Sequence, residues 1–286
     1  MQVLDAKVDL EAFVEQLARA REGVLVLDYD GTLAPCRVDR DRAFPYPGVK
    51  EALNRIAMLA NTRLAIVTGR PVHDIPSLLG FEGLGLERYR PEIWGCHGWE
   101  RLLPDGTYYR ARPHQWAVEG LSLAYGSIWE LTCGRLGPWF PIEGRIERKP
   151  VGLAFHWRGC TPAIVAEVQD SVTQEWAGLA RDTGLELSVF EEGVELRVPG
   201  HTKADAVETM MEDSGKGAAG AFLGGDVTDE DAFRALKGKA LTALVRSEVR
   251  PSAADLWMQP PDELCEFLGL WEELRTRPAS IAWSIA

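Results

Sequence analysis

One stretch limits the folds open to this chain more than any other: Val24–Leu25–Val26–Leu27, followed at once by Asp28–Tyr29–Asp30–Gly31–Thr32. The apolar run has the β-branched character of a strand buried inside a parallel sheet, and Gly31 gives the backbone room to turn sharply after it. Asp28 and Asp30 therefore stand at the carboxyl end of a strand. Ligands bind at that edge in open α/β sheets, and two carboxylates one residue apart there suggest a divalent cation and acid chemistry. The plainer and lesser alternative for the stretch alone is a turn with two solvated aspartates.

The pattern repeats along the chain. Arg63–Val67 is a second apolar strand, and it ends in Thr68–Gly69–Arg70–Pro71, with Pro71 placed to open a helix. A hydroxyl, free amides and an arginine suit phosphate oxygens, although a routine βα turn capped by Thr68 would use the same residues. Gly200–His201–Thr202–Lys203 starts a helix carrying Ala206, Val207 and Met210. A cation at a helix start opposes the helix dipole, which is explained if Lys203 faces an anion; a solvated lysine is the plainer alternative. Ala221–Gly225 is again an apolar strand ending in acids, Asp226, Asp229, Glu230 and Asp231. The last three begin a helix favourably, which leaves Asp226 as the metal candidate on the strand side.

Between the second and third of these tips the pattern changes. His97 lies between Gly95 and Gly98, where a backbone can approach a ligand, and it has no partner at zinc spacing. Pro104–Asp105–Gly106 predicts a hairpin turn. A long helical stretch to about residue 136 follows, then strands at Arg145–Lys149 and Val151–Arg158, a helix from Thr161 to about Ala180, and strands at Leu185–Phe190 and Val194–Val198. Antiparallel hairpins interrupting a βα series indicate a second domain. The expected organisation is an α/β protein with a Rossmann-like parallel-sheet core, residues 1–103 and 198–286, and an inserted α+β cap, residues 104–197.

The motifs taken in order resemble those of the haloacid dehalogenase superfamily, whose D-x-D-G-T signature is similar to Asp28–Thr32. Within it the chain most resembles the trehalose-6-phosphate phosphatase family. That likeness is carried by Leu27–Pro35, Thr68–Pro71, His97–Glu100, Glu147–Lys149, His156–Arg158, Glu195–Arg197 and Gly224–Phe233. Three departures stand out: Thr68 replaces the usual serine, Lys203 is followed by Ala204 where glycine is common, and Gly225 replaces the first acid of G-D-D-x-T-D-E.

The resemblance implies a phosphatase in which Asp28 is the nucleophile, Asp30 the acid and base, and Thr68 and Lys203 hold the phosphoryl group. It also implies Mg²⁺ bound by Asp28, the Asp30 carbonyl and Asp226, with Asp229 a weaker metal candidate. Arg70, His97, Glu147, Lys149 and Glu195 would bind substrate, the cap choosing the sugar. The cap residues lie on strands where alternate positions share a face, so cross-strand ion pairs are the competing expectation, above all for Arg158 and Arg197. Phosphatases of glucosyl- or mannosyl-glycerate phosphate, or a phosphosugar-binding domain without turnover, would share much of this pattern.

Composition narrows the partners. With 31 basic against 43 acidic residues the net charge is −12, which argues against a non-specific grip on nucleic acid or anionic membrane. The five cysteines lack C-x-x-C pairing, and neither a membrane span nor an apolar leader is visible, so a cytoplasmic enzyme acting on a small sugar phosphate is expected. A monomer is the expected state, although nothing in the sequence speaks against an oligomer.

Overall fold

The computed structural model describes residues 1–80, 90–134 and 144–276. They divide into two compact units, one of residues 1–109 and 202–286, the other of residues 110–201.

The first unit is built on a nine-stranded sheet. In chain order its strands are β1 (Gln2–Val3), β2 (Gly23–Asp28), β3 (Thr62–Val67), β4 (Glu92–Gly95), β5 (Glu100–Leu102) and β6 (Tyr108–Arg110). After the four strands of the second unit come β11 (Ala219–Gly224), β12 (Leu241–Val245) and β13 (Leu256–Met258). The spatial order is β1-β13-β12-β11-β2-β3-β4-β5-β6. From β13 to β4 neighbouring strands are parallel, while β1 and β5 attach antiparallel at the two sides. The chain leaves β2 toward β3 and β4 on one side and returns to β11, β12 and β13 on the other. The boundary between β2 and β11 is thus the topological switch point, where ligand crevices form.

Both faces of this sheet are covered, which is why β2 reads as a continuous apolar run instead of alternating. Leu25 and Leu27 point into a core shared with Leu53 and Ile56 of α2 (Val49–Ala57) and with Leu268 and Trp271 of α8 (Asp262–Thr276). Val24 and Val26 face the opposite core, with Val207 and Met210 of α6 (Lys203–Ser214) and Phe233 of α7 (Glu230–Ala235). The amphipathic α1 (Leu10–Arg19), capped by Asp9, packs against the α8 side through Leu17.

Helix α2 starts at Val49, after a left-handed Gly48 as its N-cap. Two local expectations are corrected. Pro71 does not open a helix: a turn intervenes before α3 (Asp74–Leu79), so the amides after Thr68 belong to that turn. The hairpin at Pro104–Gly106 forms, with Leu103 N donating to Thr107 O, but its second strand extends the first unit's sheet instead of beginning the insert.

The second unit carries a four-stranded antiparallel sheet in the order β7-β8-β10-β9, made of β7 (Ile146–Lys149), β8 (Gly152–His156), β9 (Glu186–Phe190) and β10 (Gly193–Arg197). One face, with Leu153, Phe155, Val194 and Leu196, is buried. Helices α4 (Gln115–Gly134) and α5 (Pro162–Thr183) contribute Ala124, Ile128, Val168, Val172 and Trp176 to the buried interior. The expected end of α4 near residue 136 lies outside the described residues. Helix α5 runs three residues past Ala180, to a left-handed Gly184 cap.

Candidate active site

The carboxyl edge of the first unit's sheet gathers the four tips. Register alone brings three together, since Asp28 pairs with Val67, the residue before Thr68, and Leu27 pairs with Leu223, one residue before Gly224. Lys203 arrives from the first turn of α6, where Thr202 and Asp205 form a reciprocal capping box. That capping holds the helix start in place although its first residue is a cation.

The Lys203 ammonium lies 2.7 Å from Asp28 Oδ1 and 2.7 Å from Asp229 Oδ1. All three groups are buried, at 4% exposure for Lys203, 3% for Asp28 and 0% for Asp229. Thr32 Oγ1 donates to Asp28 Oδ2 over 3.2 Å, and the amides of Gly225 and Asp226 donate to Asp229 Oδ2 over 2.9 Å each. Burial and the charge of Asp229 push the Asp28 carboxyl up to about 8, against the opposing pull of Lys203. Burial alone would lower the lysine, but the charges of Asp229 and Asp28 overcome it and hold Lys203 above its ordinary value.

Asp229 is therefore the residue whose part was least legible beforehand. Read from sequence as a weak metal candidate, it is the second anchor of Lys203. The signal that pointed there was the misplaced lysine itself.

Asp30 is paired bidentately with Arg70, whose Nε and Nη2 donate over 2.7 and 2.6 Å. Tyr29, between the two acids, points the other way and donates to Ala43 O at 2.7 Å, which anchors the loop after the strand. Thr68 is buried, and its Oγ1 accepts from the Arg70 amide at 3.1 Å, leaving the hydroxyl proton for another acceptor. Asp226 uses Oδ1 to cap the amides of Val227 and Thr228 in the short 3₁₀ turn that follows.

His97 belongs to this edge as well. Cys96 and His97 have φ of 49° and 58°, left-handed values that cost side-chain-bearing residues energy and persist where the surroundings over-determine them. The His97 imidazole lies over Gly69, where an added Cβ would come within 2.8 Å of the ring.

Among the described residues no three His, Cys, Asp or Glu side chains are grouped so as to hold a metal ion. The charge balance does suit a divalent cation: two buried carboxylates share one lysine, and the charge of Asp229 adds to burial in raising Asp28. Gly225 has no room for an acid, because a Cβ there would lie 2.7 Å from Val245 O and 3.1 Å from Gly31 O. Asp226 is then the carboxylate that this tip offers.

In the second unit, pairing aligns Glu147, Ala154, Glu195 and Ser188 in one row across all four strands. Lys149 and Glu195 form an ion pair at 3.0 Å, and a Cβ on Gly152 would lie 2.7 Å from Glu195 Oε1, so the glycine clears the side chain's path. Glu147 meets His156 Nε2 at 2.9 Å, Arg197 meets Glu186 at 3.1 Å, and Arg158 meets Glu192 at 2.5 Å. The face foreseen for sugar hydroxyls is thus polar, and its side chains are one another's partners.

This fold is that of the haloacid dehalogenase-like hydrolases. One such protein from Bacteroides thetaiotaomicron superposes with a TM-score of 0.57 at 16% identity, covering 87% of this chain and 98% of that one. The C-terminal domain of Candida albicans trehalose-6-phosphate phosphatase superposes with a TM-score of 0.76 at 17% identity, covering 96% and 99%.

The trehalose-phosphatase family model matches residues 26–118 and 143–256, and the chain belongs to that family. The trehalose-phosphate phosphatase of Mycobacterium marinum is 31% identical over 253 residues, covering 85% of this chain and 59% of that protein. That of Mycobacterium avium is 31% identical over 281 residues, covering 93% and 66%. The chain thus spans about three fifths to two thirds of the length of these relatives.

Proposed function

We propose that this chain hydrolyses trehalose 6-phosphate to trehalose and inorganic phosphate through an aspartyl-phosphate intermediate. The observation that carries the reading is the buried Asp28–Lys203–Asp229 group beside the Asp30–Arg70 pair, on one strand edge at the switch point. Membership of the trehalose-phosphatase family supports the choice of sugar.

A phosphate monoester approaches with about two negative charges, so attack by a carboxylate requires cations around it. Lys203 neutralises Asp28 from within the core. Mg²⁺, held by Asp28, the Asp30 carbonyl and Asp226, would supply the remaining positive charge and orient the phosphoryl oxygens. A carboxylate oxygen of Asp28 then bonds to phosphorus as the bond to the sugar oxygen breaks, and Asp30 delivers a proton to that oxygen. Water deprotonated by Asp30 next attacks phosphorus, which frees phosphate and restores Asp28.

The Asp30–Arg70 pair supports a particular order for these events. While both Asp30 oxygens accept from the guanidinium, Asp30 is in no position to donate a proton. An incoming phosphoryl group competes for Arg70, and the Asp30 carboxylate released by that exchange of partners takes up, from water or from a substrate monoanion, the proton it then delivers to the sugar oxygen. The Thr68 hydroxyl would face the same phosphoryl oxygens, His97 would line their flank, and Glu147, Lys149 and Glu195 would select the sugar.

A panel of phosphorylated sugars, assayed for phosphate release with and without Mg²⁺, tests the reading. Highest kcat/KM for trehalose 6-phosphate with Mg²⁺ is the expected result. Preference for a glycosyl-glycerate phosphate would overturn the sugar and keep the chemistry, whereas no phosphate release from any sugar would overturn both.

A further inference from the structure

Glu100 is 2% exposed and sits at the start of β5, with no part in the chemistry described above. A buried carboxylate is retained at a cost unless several donors satisfy it, so the identity of those donors is informative. Its Oε1 accepts from Tyr108 Oη at 2.6 Å. Its Oε2 accepts from the Val72 amide at 3.0 Å and from Cys96 Sγ at 3.5 Å.

The last two contacts join separate loops of the candidate site. Cys96 N donates to Arg70 O at 2.8 Å and His97 N donates to Thr68 O at 2.9 Å, so the β4 tip is already bonded to the β3 tip. Glu100 then takes the amide two residues beyond Arg70. The turn Arg70–Pro71–Val72 is held at both ends, by Cys96 N at one and by Glu100 at the other. The fit is close enough that a Cβ on Gly95 would lie 2.6 Å from Val72 N and 2.8 Å from Arg70 O. Consecutive left-handed conformations at Cys96 and His97 need such external restraint to persist.

We infer that Glu100 is a positioning residue, whose carboxylate clamps the Arg70 turn to the strained Cys96–His97 tip and so fixes where the guanidinium and the imidazole meet substrate. The inference rests on the reading of Arg70 and His97 as substrate-binding groups.

The test is Glu100→Gln in the full chain. Glutamine keeps the shape but loses the charge, so the contacts to the Val72 amide and the Cys96 thiol become neutral hydrogen bonds of roughly half the strength, and the Tyr108 hydroxyl must turn from donor to acceptor. Misplacement of binding groups by a fraction of an ångström to 1 Å costs on the order of 10-fold to 100-fold in kcat/KM. The expected result is that loss, borne mainly by a raised KM for trehalose 6-phosphate, together with a shifted His97 Cε1–H NMR signal, assigned with His97→Asn.

Tyr108→Phe removes a donor from the other oxygen and leaves the Val72 and Cys96 contacts. It should lower thermal stability with KM unchanged. A role confined to stability would instead leave KM and the His97 signal of folded Glu100→Gln at their parental values, and that result overturns the inference. If Glu100→Gln does not fold, Cys96→Ala decides: it removes one link of the clamp, and a KM and His97 signal identical to the parent's would overturn the inference equally. Should the parent protein release no phosphate from any sugar, the function proposed above fails, while the His97 signal still decides the role of Glu100.

Discussion

Replacing Lys203 by methionine keeps the aliphatic stem and removes the cation that bridges Asp28 and Asp229, at 2.7 Å from each. Both carboxylates are buried, and removing one partner of a buried ion pair costs about 3–5 kcal/mol, because it strands charge that water cannot reach. At about 1.4 kcal/mol per decade, the amides of β2 should lose roughly two to three and a half decades of hydrogen-exchange protection. The assay is exchange of the β2 peptide followed by mass spectrometry, in EDTA so that no metal substitutes for the lysine.

The sign with pH follows from proton counting. The Asp28 carboxyl, already raised to about 8 in the parent by burial and by the charge of Asp229, loses the opposing pull of the lysine in folded Lys203→Met and is raised further, so above about pH 8 the variant holds a proton that the parent has released. Its stability relative to the parent therefore falls as pH rises, by up to about 1.4 kcal/mol per pH unit for each extra proton. The deficit should be larger at about pH 9.5 than at about pH 7. Adding Asp229→Asn should recover much of the lost protection without restoring turnover, since the repulsion is relieved while the cation is still missing. Protection within about tenfold of the parent at pH 8, or a deficit independent of pH, would refute the reasoning.

Other outcomes follow from the same geometry. Asp28→Asn should abolish phosphate release while leaving the circular dichroism spectrum and the thermal transition of a folded protein; undiminished turnover would remove Asp28 as nucleophile. Gly69→Ala sets a methyl 2.8 Å from the His97 ring and should cost about 1–3 kcal/mol with a raised KM, read by thermal melts and initial rates. Burial holds His156 below its ordinary value of 6.5, with Glu147 opposing, so the stability it contributes is present above about pH 6.5 and lost as pH falls below that toward its folded value. Melts at pH 7.5 and 5.5 should show His156→Gln losing less on acidification than the parent.

Much of the first unit could be read directly because buried parallel strands are continuous apolar runs, as in Val24–Leu27 and Ala221–Leu223, and both form where expected. The short strands at one side of the sheet were harder. Gln2–Val3 and Leu256–Met258 are two and three residues long, and their pairing depends on a neighbour whose position no local pattern reveals. The hairpin at Pro104–Gly106 was legible as a turn, but turn residues do not say to which sheet the returning strand belongs.

At the site, residue types announced the anions and cations, whereas their pairing did not follow from type. Asp229 could be a helix-start acid or a partner of Lys203, and only the convergence of α6 with the β11 tip decides it. Glu100 gave no periodic signal at all, since its importance comes from amides and a thiol on other segments.

The central strand also bears on how this protein is made. Asp28 and Lys203 are 175 residues apart in the chain, and β11, which flanks β2 on its switch-point side, is later still. Between them the ribosome must synthesise the whole second unit. Until α6 emerges, an ionised Asp28 has no lysine to meet it, and moving that charge out of water would be unfavourable. The amino-terminal half thus carries its own deterrent against closing a core too early, and burial of β2 waits for the carboxyl-terminal half to deliver both a neighbouring strand and a counter-charge.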